Sequence, residues 1–331
     1  MTDVKRHKTT AIYASKIKDE QALFHSTSGG VFYELAKLIL GRNGVVFGCA
    51  YDEDFVARHI YVYNLNDIKR LQNSKYVQSN LDTVFGKVKG FLDQGTDVLF
   101  CGTGCQVAGL KAFLSKDYEN LYTADIVCHG VPSPKLFEKY LSYIERKTGE
   151  KVTYFNFRSK KGHGWQHYFQ YDTKSKSKVT YGMFDPYYNA FINSKIIRES
   201  CYNCKYSNTD KPSDITLGDY WGIEYAHPEF YSSKGVSLVL TNSQKGTKMW
   251  QDISDNVTSI ESKLEKATPL NSNLVHPPQR PLCRDTIYNG IDDDFDKFVI
   301  TNLNFKVNPL KRIIMLFPSD LKFKIKRLLK H

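Results

Sequence analysis

The sequence predicts an α/β protein: a mostly parallel sheet with covering helices, a β-hairpin insertion and a helical C-terminal extension. Two strand–loop–helix units follow one another between residues 97 and 149, the usual signature of parallel pairing. From residue 151 the apolar period changes to alternation, the mark of a half-buried hairpin. After about residue 260 the periodic signal weakens to short helical and irregular runs. Residues 1–245 read as the core, and 246–331 as an extension ending in a basic amphipathic tail.

In chain order, "HSTSGG" precedes "VFYELAKLIL", which has helical periodicity; Ser28 reads as its N-cap, with Gly29 and Gly30 in the first turn. "GVVFGCAYD" and "RHIYVYN" read as short strands, "NSKYVQSN" as a polar loop, and residues 81–93 as an amphipathic helix. "DVLF" is a strand, "CGTGC" a loop and "QVAGLKAFL" a helix. "LYTADIV" is a strand, "CHGVPS" a loop and "PKLFEKYLSYIERKTG" a helix with Pro134 in its first turn. "VTYFNFRSK" and "WQHYFQYD" form the hairpin around "KGHG", and "DPYYNAFINSK" is helical. "CYNCKYSNTDKPSD" is a loop leading into the strand "ITLGDYWGI"; "GVSLVLTN" is a strand followed by a helix near 244–254.

The 331 residues, 41% apolar and 14% aromatic, suit a globular chain with ample core. A net charge of +11 favours anionic partners without choosing among them. No stretch of about 18 apolar residues is present, so no membrane span is expected. "MTDVKRHKTTAIYASKIKDE" has no apolar h-region, and seven cysteines is an odd number. A reducing cytoplasm is therefore expected, where clustered thiols bind metal or do chemistry. The last 21 residues hold seven Lys or Arg and one Asp. Their alternation with Leu, Phe and Ile suits either a solvated terminal helix or contact with the inner face of an anionic membrane. No nucleic-acid module is recognisable, and no nucleic-acid partner is expected.

The chemistry-bearing feature is the cysteine set. Cys201 and Cys204 form a CxxC after a helix-like stretch, which suits one edge of a metal or cluster site better than a redox disulfide. Cys105 and Cys128 each follow a predicted parallel strand, where α/β ligand sites lie. Four thiolates suit tetrahedral zinc or a 4Fe-4S cluster. One tight pair plus two scattered thiols leans toward the cluster, with a zinc-stabilised non-redox scaffold as the alternative. A third reading makes Cys105 a nucleophile. Cys49, Cys101 and Cys283 read as structural.

Around these sit residues that carry two readings each. "STSGG" is an ordinary helix cap or a phosphate seat. "SKYVQS" is a solvated loop or a pocket with Lys75 for phosphate, Tyr76 for stacking and Gln78 for a polar ring edge. "FRSKKGHGW" places Arg158, Lys160, Lys161, His163 and Trp165 at a hairpin tip, either an exposed basic turn or the mouth of a site for an anionic substrate or cofactor. His129 and His163 are candidate proton carriers. Asp214 and Asp219 flank a short strand and read as turn caps rather than an acid/base pair.

"SGGVFYELA", "SKYVQS", "VLFCGTGCQVAGL", "DIVCHGVPSPKLF", "FRSKKGHGW", "SCYNC" and "SDITLGDYWGI" occur in this order, and together they resemble the coenzyme F420 hydrogenase/dehydrogenase beta-subunit family. The resemblance covers about residues 10–245. It implies a flavin- and iron–sulfur-dependent oxidoreductase passing electrons between a 4Fe-4S cluster, FAD and a partner or a substrate such as coenzyme F420. It implies cluster ligation by Cys105, Cys128, Cys201 and Cys204. It implies flavin contact by Ser28, Gly29 and Gly30 and by Ser74, Lys75, Tyr76 and Gln78, with Arg158 and Lys160 as further cofactor-binding candidates. No cysteine precedes Cys49, so the N-terminal ferredoxin-like segment of many relatives is expected to be absent. Electrons would then enter from a ferredoxin or another redox subunit. Gly104 also stands where relatives often have Pro, which leaves the shape of that turn open.

Overall fold

A computed structural model describes residues 4–307, together with 317 and 321. The basic tail, and with it the expected membrane contact, lies outside the described residues. The chain divides into two compact units: 1–72, 79–128 and 204–277 form the first, and 73–78, 129–203 and 278–331 the second.

The first unit is built on an eight-stranded mixed sheet. Its strands are β1 (Ala11–Ile17), β2 (Val45–Tyr51), β3 (Ala57–Val62), β4 (Val98–Thr103), β5 (Leu121–Ile126), β6 (Ile215–Asp219), β7 (Ser237–Thr241) and β8 (Val257–Ser262). The spatial order is β8-β1-β7-β6-β5-β4-β2-β3. β2, β4, β5 and β6 pair in parallel; β7 is antiparallel to both β6 and β1, so β1 runs with the parallel set. Five of the eight strands thus share one direction, which gives the sheet a defined C-terminal edge.

Central parallel strands are apolar on both faces, because helices cover both. Alternate residues sort accordingly. Val46 and Leu99 pack under α1 (Val31–Leu40) and α4 (Gln244–Asp252); Val45, Val98 and Phe100 pack under α2 (Val84–Asp93) and α3 (Gly104–Leu114). "CGTGC" is not a loop. β4 continues through Cys101, Gly102 and Thr103, whose partners on β5 are Ala124, Asp125 and Ile126, and α3 begins at once with Gly104. The glycines suggested a turn, but parallel pairing on that flank carries the strand to its end.

Ser28 is not the N-cap of α1. That position is Gly30, at φ +83°, and the Ser28 hydroxyl donates to the Val236 carbonyl at 2.7 Å. Gly29 and Gly30 therefore precede the helix. β1, whose Ser15 and Lys16 interrupt the apolar pattern, has no counterpart in the sequence reading; yet Ser15 is fully buried beside Ser237.

In the second unit the helix Pro134–Thr148 covers a three-stranded antiparallel sheet, Val152–Asn156, Tyr168–Thr173 and Ser177–Tyr181. The expected hairpin is its first pair; the third strand is an addition, too polar and exposed to show a period. Phe137, Tyr140, Phe155, Phe157 and Tyr187 make an aromatic core in which Tyr140 stacks on Tyr187 while Phe137 and Phe157 meet Phe155 edge-on. Asp185 is buried within it. It caps the helix Pro186–Ile192 through the Tyr188 N–H at 2.9 Å and accepts from the Tyr140 hydroxyl at 2.7 Å.

Burial raises the Asp185 carboxyl from an ordinary 3.8 to about 6, against the pull of its hydrogen bonds. The folded chain therefore holds this proton to higher pH than the unfolded chain does. Stability contributed here falls as pH rises from about 4 to about 6. Asp185→Asn keeps the cap acceptor and removes the buried charge, so thermal midpoints measured across that window should flatten relative to the parent. Asp185→Ala also removes the cap acceptor; it should lose about 1–2 kcal/mol near pH 4, the usual cost of a lost cap, and the loss should shrink as pH rises toward 6.

Candidate functional site

The C-terminal edge of the parallel strands collects the first unit's candidate residues. Thr103 and Ile126 are paired at the ends of β4 and β5, and Cys105 and Cys128 each lie two residues further on. Cys105 is exposed in the first turn of α3, its Sγ 3.0 Å from the Thr103 hydroxyl. Cys204 joins this neighbourhood through Tyr206. Burial raises the Tyr206 phenol above its usual range; Arg6, 5.2 Å over the ring, opposes this, and the thiols of Cys105 and Cys204 add to it.

Tyr206 also explains Gly104. A Cβ there would come 2.9 Å from Tyr206 Cβ and 3.1 Å from Asp125 Oδ2, so the turn needs a bare backbone where these two close in. Beneath it lies a buried polar network. Asp125 Oδ1 accepts from Ser213 Oγ at 2.7 Å and Thr216 Oγ1 at 2.5 Å, while its Oδ2 has no hydrogen-bond partner among the described residues. Burial pushes the Asp125 carboxyl up, and the nearby Lys211 charge pulls it back. Lys211 is only 1% exposed and donates to the Tyr206 carbonyl at 3.0 Å.

A second network reaches α3 from β3. His59 meets the Cys101 carbonyl at 3.1 Å and the Ser79 hydroxyl at 3.0 Å; Gln106 donates to Ser79 at 2.8 Å and accepts from the Thr103 N–H at 2.9 Å. Tyr206, Asp125, Lys211, His59 and Gln106 were not among the sequence candidates. Their roles come from contacts across the sheet, and only Gly104 hinted at them.

The "SGG" segment lies at the same edge. Gly29 donates from its N–H to Ser237 Oγ at 3.0 Å, and its carbonyl accepts from the Ile17 N–H at 2.8 Å. Ser28 and Gly29 are thus committed to packing. A cleft of about 380 Å³ opens beside them, lined in part by Lys16, Lys18 and Lys234. Asp214 does not cap a turn of its own: its carboxylate accepts from Thr123 on β5 and from Ser243 ahead of α4.

The second unit gathers a different set. Tyr76 stacks on Phe191 at 4.3 Å, its hydroxyl takes a bond from Arg158 Nη1 at 3.2 Å, and its carbonyl one from the Tyr187 hydroxyl at 2.7 Å. Gln78 accepts from Arg198 at 2.7 Å. The "FRSKKGHGW" turn is not an exposed basic tip: Arg158, Ser159, Lys160 and Trp165 are buried, and Arg158 Nε donates to the Gln166 carbonyl at 3.0 Å. His163 stacks on Tyr168 at 4.3 Å. His129 Nε2 lies 3.1 Å from the Phe191 carbonyl and 3.0 Å from the Ser194 hydroxyl, and burial lowers its pKa. Ser74 and Lys75 are part-buried. Cys201 belongs to this unit, in the turn Glu199–Asn203, with two residues between it and Cys204.

Among the described residues no three His, Cys, Asp or Glu side chains converge closely enough to hold a metal ion. The donor chemistry still fits a cluster: Cys105 and Cys128 leave the same sheet edge, Cys105 and Cys204 share Tyr206, and Cys201 is tied to Cys204 by sequence. No described helix is long and apolar enough to cross a membrane.

The fold is an α/β sheet with two thiols just beyond one edge, and comparison with known proteins supports a redox class. The family model for the C terminus of the coenzyme F420 hydrogenase/dehydrogenase beta subunit matches residues 95–266, and the chain belongs to that family. A chain of the xenon-derivatised F420-reducing [NiFe] hydrogenase complex from Methanosarcina barkeri has the same fold. It superposes with a TM-score of 0.54 at 17% identity, over 91% of this chain and 94% of the other. No curated protein sequence matches.

Proposed function

We propose that this chain is a flavin- and iron–sulfur-dependent oxidoreductase working with a redox partner such as a ferredoxin or another subunit. The observation that carries the reading is the register of β4 and β5, which sets Cys105 and Cys128 equally far beyond one sheet edge. Cys105, Cys128, Cys201 and Cys204 would hold a 4Fe-4S cluster, and the "SGG" edge, "SKYVQS" and Arg158–Lys160 would hold FAD. When bound, the cluster passes single electrons and the flavin couples them to two-electron chemistry on an anionic substrate such as a deazaflavin.

The chain's own residues prepare that chemistry. Cys105 stands in the first turn of α3 with its sulfur beside the Thr103 hydroxyl. Gly104 lets Tyr206 close over the Asp125 network, which fixes the turn on which Cys105 stands. Arg158 donates to the Tyr76 hydroxyl and Tyr76 stacks on Phe191, so the ring is held from both its edge and its face. His129, held between the Phe191 carbonyl and the Ser194 hydroxyl, would orient its neighbours, or exchange a proton when that contact opens. Anaerobic purification followed by absorption spectroscopy and iron, sulfide and flavin analysis tests the proposal; a colourless chain holding zinc would replace it with a structural-metal scaffold.

A further inference from the structure

At the opposite, N-terminal edge of the parallel strands, the first unit opens a second cleft of about 740 Å³. Its walls include the start of β5 at Leu121 and Tyr122, Asp214 just before β6, and the first turn of α4. That volume is ordinary for a small-molecule site. Lys5, Arg42, Lys111, Lys116, Lys245 and Lys248 line it together with His7.

Carboxylates also line the cleft, so the question is which charges are already matched. Asp252 pairs with Arg42 at 2.8 Å and Lys248 at 2.5 Å. Asp214 accepts from the Thr123 N–H, the Thr123 hydroxyl and the Ser243 hydroxyl at 2.9, 2.6 and 2.6 Å. Lys245 donates to the carbonyls of Tyr118, Glu119 and Leu121. Lys116 lies over the Tyr118 ring at 4.5 Å. Lys5 and Lys111 remain among the cations, and Asp117 and Glu119 among the carboxylates; among the described residues none of these four side chains has a hydrogen-bond or ion-pair partner.

The cations here also act on one another. Burial lowers the Lys111 ammonium first, with Lys245 and Lys5 adding to the fall and Asp214 and Asp117 resisting it. His7 is lowered by burial and then by Lys111 and Lys5, again against Asp214 and Asp117. A part-buried cation with no matched counter-ion costs stability, and an anion seated on it would return that cost.

We propose that this cleft binds a phosphate-bearing small molecule, whose paired negative charges sit on Lys5, His7 and Lys111. The site lies at the far edge of the sheet from Cys105 and Cys128, and does not depend on any cofactor reading there. A diphosphate or a phosphate ester with a second anionic group matches two unpaired ammonium groups beside an imidazole; a single carboxylate matches only one.

Inorganic pyrophosphate is the probe, titrated calorimetrically into the full chain at constant ionic strength, with orthophosphate and sulfate as comparators. Pyrophosphate should bind and raise the thermal midpoint, more strongly than either comparator. Lys111→Gln should weaken it about tenfold, the loss of one charge-assisted hydrogen bond. Lys87→Gln removes the same charge from the exposed face of α2 and should change binding less than about twofold. Lys111→Met should raise the midpoint of the ligand-free chain, because it removes a poorly solvated cation. The proposal is overturned if pyrophosphate fails to bind at millimolar concentration. It is equally overturned if Lys87→Gln weakens binding as much as Lys111→Gln, which would mark diffuse surface attraction, or if Lys111→Met destabilises the free chain.

Discussion

Gly29→Ala should be among the most damaging single substitutions in the first unit. A Cβ at residue 29 would stand 2.1 Å from the Ser15 carbonyl oxygen and 2.6 Å from the Ser237 nitrogen. Both are backbone atoms of a paired position on β1 and β7, so no rotamer change relieves the contact. The strands would have to part at the edge where "SGG" docks, breaking the Gly29–Ser237 and Ser28–Val236 bonds as they go. Overpacking against fixed backbone costs about 3 kcal/mol or more. Against a total of about 5–15 kcal/mol, that is a large share. Denaturant titration should show the unfolding free energy fall by that amount, through a lower midpoint with little change in slope. A loss under about 1 kcal/mol would mean that this segment is not docked as described.

Cys105→Ser should have the largest effect on chemistry and almost none on folding. Cys105 is exposed and contributes no core contact, so the thermal midpoint of the cofactor-free chain should move within about 0.5 kcal/mol. Loss of one of four thiolate ligands should instead drop iron from about four per chain to below about one after anaerobic reconstitution. Cys283→Ser removes a thiol that reads as structural, and should leave iron unchanged. If both variants load alike, Cys105 is not a ligand.

Much of the sheet was readable because local pattern and tertiary role agree there. Val45–Phe47 and Val98–Phe100 are apolar on both faces, so they announce buried strands. The helix beginning at Pro134 carries its own start signal and an amphipathic stripe. What was hidden depends on distant partners. In β1, Ser15 and Lys16 interrupt the apolar run, and Ser15 is buried only because β7 and β8 flank it. Ser28 has the chemistry of a cap but gives its hydrogen to a carbonyl 208 residues away. Lys211 is fully buried, which no local pattern can announce for a lysine. The compact units interleave chain segments, so a linear reading by composition cannot trace them.

For the site, the four cysteines stood out by spacing, and the strand-end position of Cys105 and Cys128 followed from the strand–helix alternation. Tyr206 and the His59–Ser79–Gln106 chain did not, since nothing in their local sequence marks them. "FRSKKGHGW" was misleading for the opposite reason. Its charges suggest solvent, whereas Arg158 and Lys160 are folded into the second unit's polar interior.

The central claim is that four thiols of this chain hold an iron–sulfur cluster beside a flavin. Anaerobic isolation with iron, acid-labile sulfide and flavin counted per chain tests it most directly. About four iron, about four sulfide and about one flavin, in a brown-yellow protein that bleaches on reduction, is the result expected. A colourless protein with about one zinc per chain, no sulfide and no flavin after reconstitution would contradict it.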